Sequence, residues 1–273
     1  MGTFTRRQFL TAAGVAAVSA TIPGTRGPGS PASPPAGPAG YSFADEFGGP
    51  AGVPPDPARW RYDLGGGGWG NRELQTYTSS PANACQDGRG HLAITAVRDG
   101  GSYTSARLTT EGRFSQAGGS WQARIKLDSQ PGCWPAFWLL GRDIGAVGWP
   151  RCGEIDIVED FGGSWVKATV HTPAGAATSM QYGGVASDAD WHTYQLDWSA
   201  AGLAFFRDGV NYLSVTRTQF PAGSWVFGPG RPNNGGCFML LNLAVGGDGP
   251  GGAPPPSARF PVTMLVDYVR VWR

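Results

Sequence analysis

The segment Pro150-Arg-Cys-Gly-Glu-Ile-Asp-Ile-Val-Glu-Asp160 interleaves three acids, Glu154, Asp156 and Glu159, with Ile155, Ile157 and Val158. Alternation of this kind reads as a β-strand, with the β-branched residues on one face and Glu154 and Asp156 on the other. Glu159 breaks the parity. Five residues on from Glu154, it would turn into the apolar layer, where an isolated carboxylate is very costly. One extra residue at Ile157-Val158, a β-bulge, restores the parity and puts all three acids on one surface. Three like charges on one strand repel, so folding stability does not ask for them. A solvated polar face is the plain alternative, but Trp134, Trp138 and Trp149 upstream and His171 downstream surround these acids with aromatic residues.

The rest of the chain supports a fold made of strands. Strand patterns recur at His91–Val97, Trp121–Leu127, Ala136–Leu140, Trp165–His171, Trp191–Trp198, Phe238–Val245 and Val262–Trp272. Leu203–Arg207 and Val210–Leu213 flank Asp208-Gly209, a two-residue hairpin turn. No long stretch carries a helical period, and no internal repeat suggests a propeller. Many short strands joined by glycine and proline turns predict an all-β sandwich or barrel.

Gly and Pro number 44 and 23, a share that could suggest low complexity, but 11 Trp and 13 Phe supply a core. A net charge of +1 without basic clusters points away from nucleic acid and anionic membranes as partners, and toward a neutral substrate. The four cysteines, Cys85, Cys133, Cys152 and Cys237, lack zinc-ligand spacing. They leave thiols and disulfides both open, with Cys133–Cys152 one conceivable pair.

The amino-terminal stretch reads as an export leader over residues 1–20. Arg6-Arg7 precede Phe9-Leu10, a short apolar run follows, and Ser19-Ala20 offers small residues for cleavage. The paired arginines resemble a twin-arginine signal, which implies secretion. Residues 21–40 are almost wholly Pro, Gly, Ala, Ser and Thr, a linker composition, so the folded domain is expected over 41–273.

G-x-S-x-G, H-E-x-x-H and Walker motifs are absent, which removes support for lipase-like, zincin and nucleotide-hydrolysing readings. The glycine-rich run Leu64–Gly70 leads into no helix, so it fits a loop that brings backbone close to a ligand better than a phosphate cradle. What remains is acid chemistry. Two positioned carboxylates in an aromatic cleft suit glycoside hydrolysis, one as nucleophile or base and one as proton donor. Tryptophan faces suit the C–H faces of sugar rings, although most of the tryptophans are expected to pack the core.

Glu154-Ile-Asp-Ile-Val-Glu159 resembles the E-[ILV]-D-x-x-E signature of family-16 glycoside hydrolases. Phe43–Phe47, Trp69–Gln75, Thr104–Arg107, Trp134–Trp138, Thr169–His171, Leu241–Gly247 and Val266–Trp272 resemble further blocks of that family, in its order. The set is most similar to the bacterial laminarinases, which are endo-acting β-1,3-glucanases. The resemblance implies a concanavalin A-like jelly-roll β-sandwich of two curved antiparallel sheets, with a substrate cleft on the concave face. It also implies retention of configuration, with Glu154 as nucleophile, Glu159 as general acid/base and Asp156 as the helper that orients Glu154.

Asn71, Arg107, Trp134, Trp138, His171 and Asn242 correspond to cleft positions of similar proteins, and a packed or capped role is the alternative for His171. The family often carries a structural calcium, for which Asp267 and backbone oxygens near Glu46 and Gly90 match. No organic cofactor is implied, and the expected partner is a polysaccharide bound by a monomer. Departures fall in Glu111–Gly119, in the loop Thr172 to Val185, and at Ala244, where mixed-linkage glucanases carry Trp. They bear on which glycan is cut: β-1,3-glucan leads, with galactan, agar or mixed-linkage glucan as alternatives. A non-catalytic glucan-binding module is the rival of another class.

Overall fold

The computed structural model describes residues 40–128, 130–174, 177–187, 189–228 and 236–273. The expected leader and nearly all of the linker lie outside the described residues. Two sheets face one another, their strands numbered here in chain order. The smaller has seven strands, in the spatial order β12 (Ala177–Ala186), β11 (Trp165–Ala174), β10 (Glu154–Asp160), β9 (Cys133–Gly141), β16 (Cys237–Val245), β7 (Arg107–Thr109) and β2 (Arg61–Asp63). The larger runs β15 (Val210–Val215), β14 (Leu203–Arg207), β13 (Trp191–Trp198), β8 (Gly119–Lys126), β17 (Val262–Trp272), β5 (Leu92–Asp99), β6 (Ser102–Ser105) and β3 (Gln75–Tyr77). Beside this path, β1 (Phe43–Asp45) pairs with β17 and β4 (Ala84–Gln86) with β5. The pairing is antiparallel except between β3 and β6. The result is the jelly-roll sandwich expected from the sequence.

The core fills the space between the sheets. Trp121, Ile125 and Val266 from the larger sheet meet Phe137, Leu139, Ile155 and Leu241 from the smaller, all at 0% exposure. β9 and β16 are buried at every position. Their inner residues join this core, while Ala136, Trp138, Leu140, Phe238 and Leu240 form a second apolar layer on the outer face with Ile144 and Cys152. Burial on both faces explains why these two strands read as continuous apolar runs. The turn at Asp208-Gly209 has both residues at positive φ, 51° and 77°, as a type I′ hairpin needs.

The parity of β10 is repaired as its sequence requires. Asp156 pairs with Trp138 of β9, but Phe137, the residue before Trp138, pairs with Val158, so Ile157 is the additional residue. The register to β11 shifts between Asp156 and Glu159 as well. Ile155, Ile157 and Val158 are then all fully buried in the core, and Glu159 shares the outer face with Glu154 and Asp156.

The sequence left thiols and disulfides both open; all four cysteines are thiols, and Cys133 and Cys152 are not bridged. Burial, then the nearby charges of Asp128 and Asp160, push the Cys133 thiol up to about 12, so it packs as a neutral apolar group. The stretch expected as a loop from Thr172 to Val185 is mostly paired strand, because β11 continues to Ala174 and β12 returns along it from Ala177. Its glycine and alanine content hides a strand whose signal is hydrogen bonding to a neighbour.

Since Ile157 sits at 0% exposure among large apolar neighbours, Ile157→Ala should lower the free energy of unfolding by about 2–5 kcal/mol. Urea denaturation followed by tryptophan fluorescence measures it.

Candidate active site

Antiparallel pairing lines the three acids up against β11. Glu154 stands opposite His171, Asp156 opposite Thr169, and Glu159 opposite Lys167. All three carboxylates are 1–2% exposed, so each needs partners to be tolerated. Trp134 Nε1 donates to Glu159 Oε1 at 3.0 Å, and Thr169 Oγ1 donates to Glu159 Oε2 at 3.3 Å. Trp149 Nε1 donates to Glu154 Oε2 at 3.1 Å. His171 Nε2 lies 3.2 Å from Asp156 Oδ2 and 3.7 Å from Glu154 Oε1, which ties Asp156 to Glu154 through one imidazole. The ligand atoms of Glu154, Asp156 and His171 all fall within 4.8 Å of one another, a compactness that lets charge be shared across the group.

A groove of about 710 Å³ opens on this face and reaches Glu154, with Trp69, Asn71, Arg107, Trp138 and Trp149 among its walls. Asp156 and Glu159 continue from Glu154 along β10. The Arg107 guanidinium lies between two rings, 4.7 Å from Trp69 and 4.8 Å from Trp138, with its Nε 3.0 Å from Asp63 Oδ2. Stacking and ion pairing together fix a planar donor at the groove wall. Trp69 has φ 48°, an uncommon conformation for a bulky residue. The loop holds it there, since its indole donates to Gly65 O at 3.0 Å, and Gly65 exchanges backbone hydrogen bonds with Tyr77.

Behind the groove runs a hydrogen-bonded relay. Glu73 Oε1 accepts from Asn71 Nδ2 at 3.0 Å, and Glu73 Oε2 accepts from Gln75 Nε2 at 2.7 Å and from the Tyr77 hydroxyl at 3.3 Å. The Tyr77 oxygen in turn accepts from Asn242 Nδ2 at 3.1 Å, and Asn242 Oδ1 accepts from Trp138 Nε1 at 2.7 Å. Burial, then the charge of Glu73, push the Tyr77 phenol well above its ordinary value, so it stays a donor. Its proton goes to Glu73, which leaves the phenolic oxygen to accept from Asn242.

The structure therefore brings Glu154, Asp156, Glu159, Trp134, Trp138, His171, Asn71, Arg107 and Asn242 onto one face. Sequence reasoning passed over Glu73, Gln75, Tyr77 and Thr169, and it used Trp149 only as context. The polar alternation Glu73-x-Gln75-x-Tyr77 would have placed the first three side by side. Ala244 sits in register with Trp134 and is buried, so it sets no projection into the groove.

Of the residues expected from the sequence to hold calcium, Asp267 lies on β17 of the larger sheet, and Glu46 and Gly90 flank β1 and β5. Asp45 pairs with Val269 and Leu92 with Val266, so the chain just past β1, at Glu46, and just before β5, at Gly90, both lead toward Asp267. Arg124 donates to Asp267 Oδ2 at 2.7 Å, and Arg270 donates to both oxygens of Glu46 at 2.8 Å. The donors the sequence offers here are the Asp267 carboxylate and the main-chain oxygens of Glu46 and Gly90. Such an all-oxygen set fits calcium.

Comparison with known proteins agrees with this geometry. Glycosyl hydrolases family 16 matches over residues 71–234. The beta-glucanase of Rhodothermus marinus is 37% identical over 234 residues, which cover 80% of each chain. Among solved structures, the laminarinase from Rhodothermus marinus superposes with a TM-score of 0.74 at 37% identity, covering 85% of this chain and 96% of its own. An endo-1,3-beta-glucanase from Streptomyces sioyaensis gives 0.75 at 32% identity, covering 88% and 98%. With the match spanning well over half its length and the acidic strand intact within it, the chain belongs to glycosyl hydrolases family 16.

Proposed function

We propose that the protein is an endo-acting glycosidase that cleaves β-1,3-glucan by a retaining double displacement. The observation that carries this reading is the bulged strand: Glu154 and Glu159 share one face at the end of an aromatic groove, each held by an indole N–H. In the first step Glu154 attacks the anomeric carbon while Glu159 gives its proton to the departing glycosidic oxygen. A glycosyl ester forms on Glu154 and the leaving chain departs neutral. In the second step Glu159 takes a proton from water, which attacks the same carbon and releases Glu154.

The neighbours of these acids support the assignment of roles. Trp149 leaves Glu154 Oε1 turned toward His171 and Asp156, so the helper sets the charge around the nucleophile. Trp134 and Thr169 grip both oxygens of Glu159 and orient the carboxyl that moves the proton. Arg107, Asn71 and Asn242 supply hydrogen bonds to ring hydroxyls, and Trp69 and Trp138 supply ring faces. β-1,3-Glucan is preferred over galactan or agar because the similar proteins carry glucanase and laminarinase names. A single chain provides all of these groups, which supports action as a monomer. Export through the Arg6-Arg7 leader extends the same proposal and rests on that sequence pattern. Calcium held by Asp267 with the carbonyls of Glu46 and Gly90 would serve stability, tying β1, β5 and β17 together away from the acids.

Glu159→Gln should lower kcat/KM on laminarin by about 10²–10⁴-fold, the usual worth of a general acid, and Glu154→Gln by at least as much. Wild-type rates in either variant would refute the mechanism. Proton NMR of the first product released by the wild type should show the β-anomer, and agarose or β-1,3-galactan should yield little beside laminarin. Tyr77→Phe breaks the relay at its only hydroxyl. It should raise KM more than it lowers kcat and cost about 1–3 kcal/mol of stability through the partners it strands, both read from steady-state kinetics and a thermal melt. Chelation with EDTA should lower Tm, and calcium should restore it, by about 2.7 kcal/mol of stability at a hundred times Kd.

A further inference from the structure

The face that carries the acids does not end at Glu159. Pairing between β10 and β11 runs through Glu159 opposite Lys167 and Asp160 opposite Val166. The next step sets Phe161 across the hairpin from Trp165. Along β11, Val166, Ala168 and Val170 point into the core, so Trp165 and Lys167 lie on the same face as Thr169 and His171, which contact the acids. Trp165 is 57% exposed, a large aromatic surface left to solvent beside a catalytic strand. Four residues of strand separate it from Thr169, about 13 Å.

From Phe161, beside Trp165 at the hairpin, contacts run on to the acids. Trp134, whose indole binds Glu159, packs edge-on against Phe161, with ring centroids 5.2 Å apart. Lys167 Nζ lies over the Phe161 ring at 5.0 Å. The hairpin tip that carries Phe161 and Trp165 is pinned in place. Gly162 N donates to Asp160 Oδ1 at 2.8 Å, Ser187 Oγ donates to Asp160 Oδ2 at 2.8 Å, and Ser187 N donates to Ser164 O at 2.8 Å. Gly162 has φ 75°, and a Cβ there would lie 2.2 Å from Gln130 O, so the tip packs against the segment before β9.

Glu159 is the group that protonates the departing oxygen, and the groove near Trp69, Asn71 and Arg107 lies across β9 and β16 on the other side of β10. The side that begins at β11 lies away from that groove, toward the departing half of the substrate. We infer that Phe161, Lys167 and Trp165 form a subsite for the leaving-group portion of the glucan, with Trp165 as its stacking platform and Lys167 as its hydrogen-bond donor. This rests on the glucanase reading above. An exposed ring on a fixed tip loses little freedom on binding, and a pyranose offers it a C–H face.

The test compares two substrates of wild-type protein, Trp165→Ala and Trp165→Phe. One is a reduced laminarioligosaccharide long enough to extend past the cleaved bond. The other is laminaribiosyl β-fluoride, whose leaving group is too small to reach the platform and departs without a proton. In Trp165→Ala the ratio of kcat/KM on the oligosaccharide to that on the fluoride should fall about 3- to 10-fold, and Trp165→Phe should keep most of it. An unchanged ratio, whether both rates hold or both fall together, overturns the subsite. A wild-type protein inert on both substrates overturns the glucanase reading itself, and the wild-type traces alone distinguish that failure from the first.

Discussion

A carboxylate turned into an apolar sandwich costs several kcal/mol unless it neutralises or finds partners, and the extra residue Ile157 is what spares Glu159 that environment. Without it, the period of two would force a choice between a polar group in the core and an apolar group on the groove face. With it, Ile157 and Val158 both pack inward at no exposure, and the spacing from Glu154 to Glu159 is set by local backbone geometry. The chemistry of the site thus depends on a packing solution. The same two residues that pack between the sheets decide where Glu159 stands.

A second dependence concerns direction. Three acids at 1–2% exposure survive because indole, hydroxyl and imidazole groups are aimed at them. Behind the groove, one phenolic proton on Tyr77 orients a relay from Glu73 to Trp138. From Tyr77 to Asn242 and Trp138 the links specify a single arrangement, because reversing one leaves a buried group unpaired. Several aromatic residues here serve as donors first and as apolar surface second. Trp134, Trp138 and Trp149 each spend their only N–H on the site.

Much of this was legible in the sequence, and the reasons differ by element. The strands of the core show themselves where one face is apolar, as in Trp191–Trp198 and Val262–Trp272, or where both are, as in Phe238–Val245. The bulge was legible because parity forbids its absence. The short strands β2, β3 and β7 were not, since three residues carry too little period to be seen. The return strand β12 was hidden by small and polar residues whose strand state comes from its neighbour. Glu73 and Tyr77 escaped notice because their importance lies in contacts with Asn71 and Asn242, far away or unremarkable in the chain.

β9 and β16 are covered by the sandwich core on one face and by the apolar floor of the groove on the other. Their backbone amides are therefore the last that water can reach, and local opening should begin at the sheet margins, β2 and β12, long before the centre. The acids on β10 sit directly against β9, while the groove walls contributed by β7 and β2 sit nearer the margin. Opening at the rims would therefore leave the spacing of Glu154 and Glu159 unchanged.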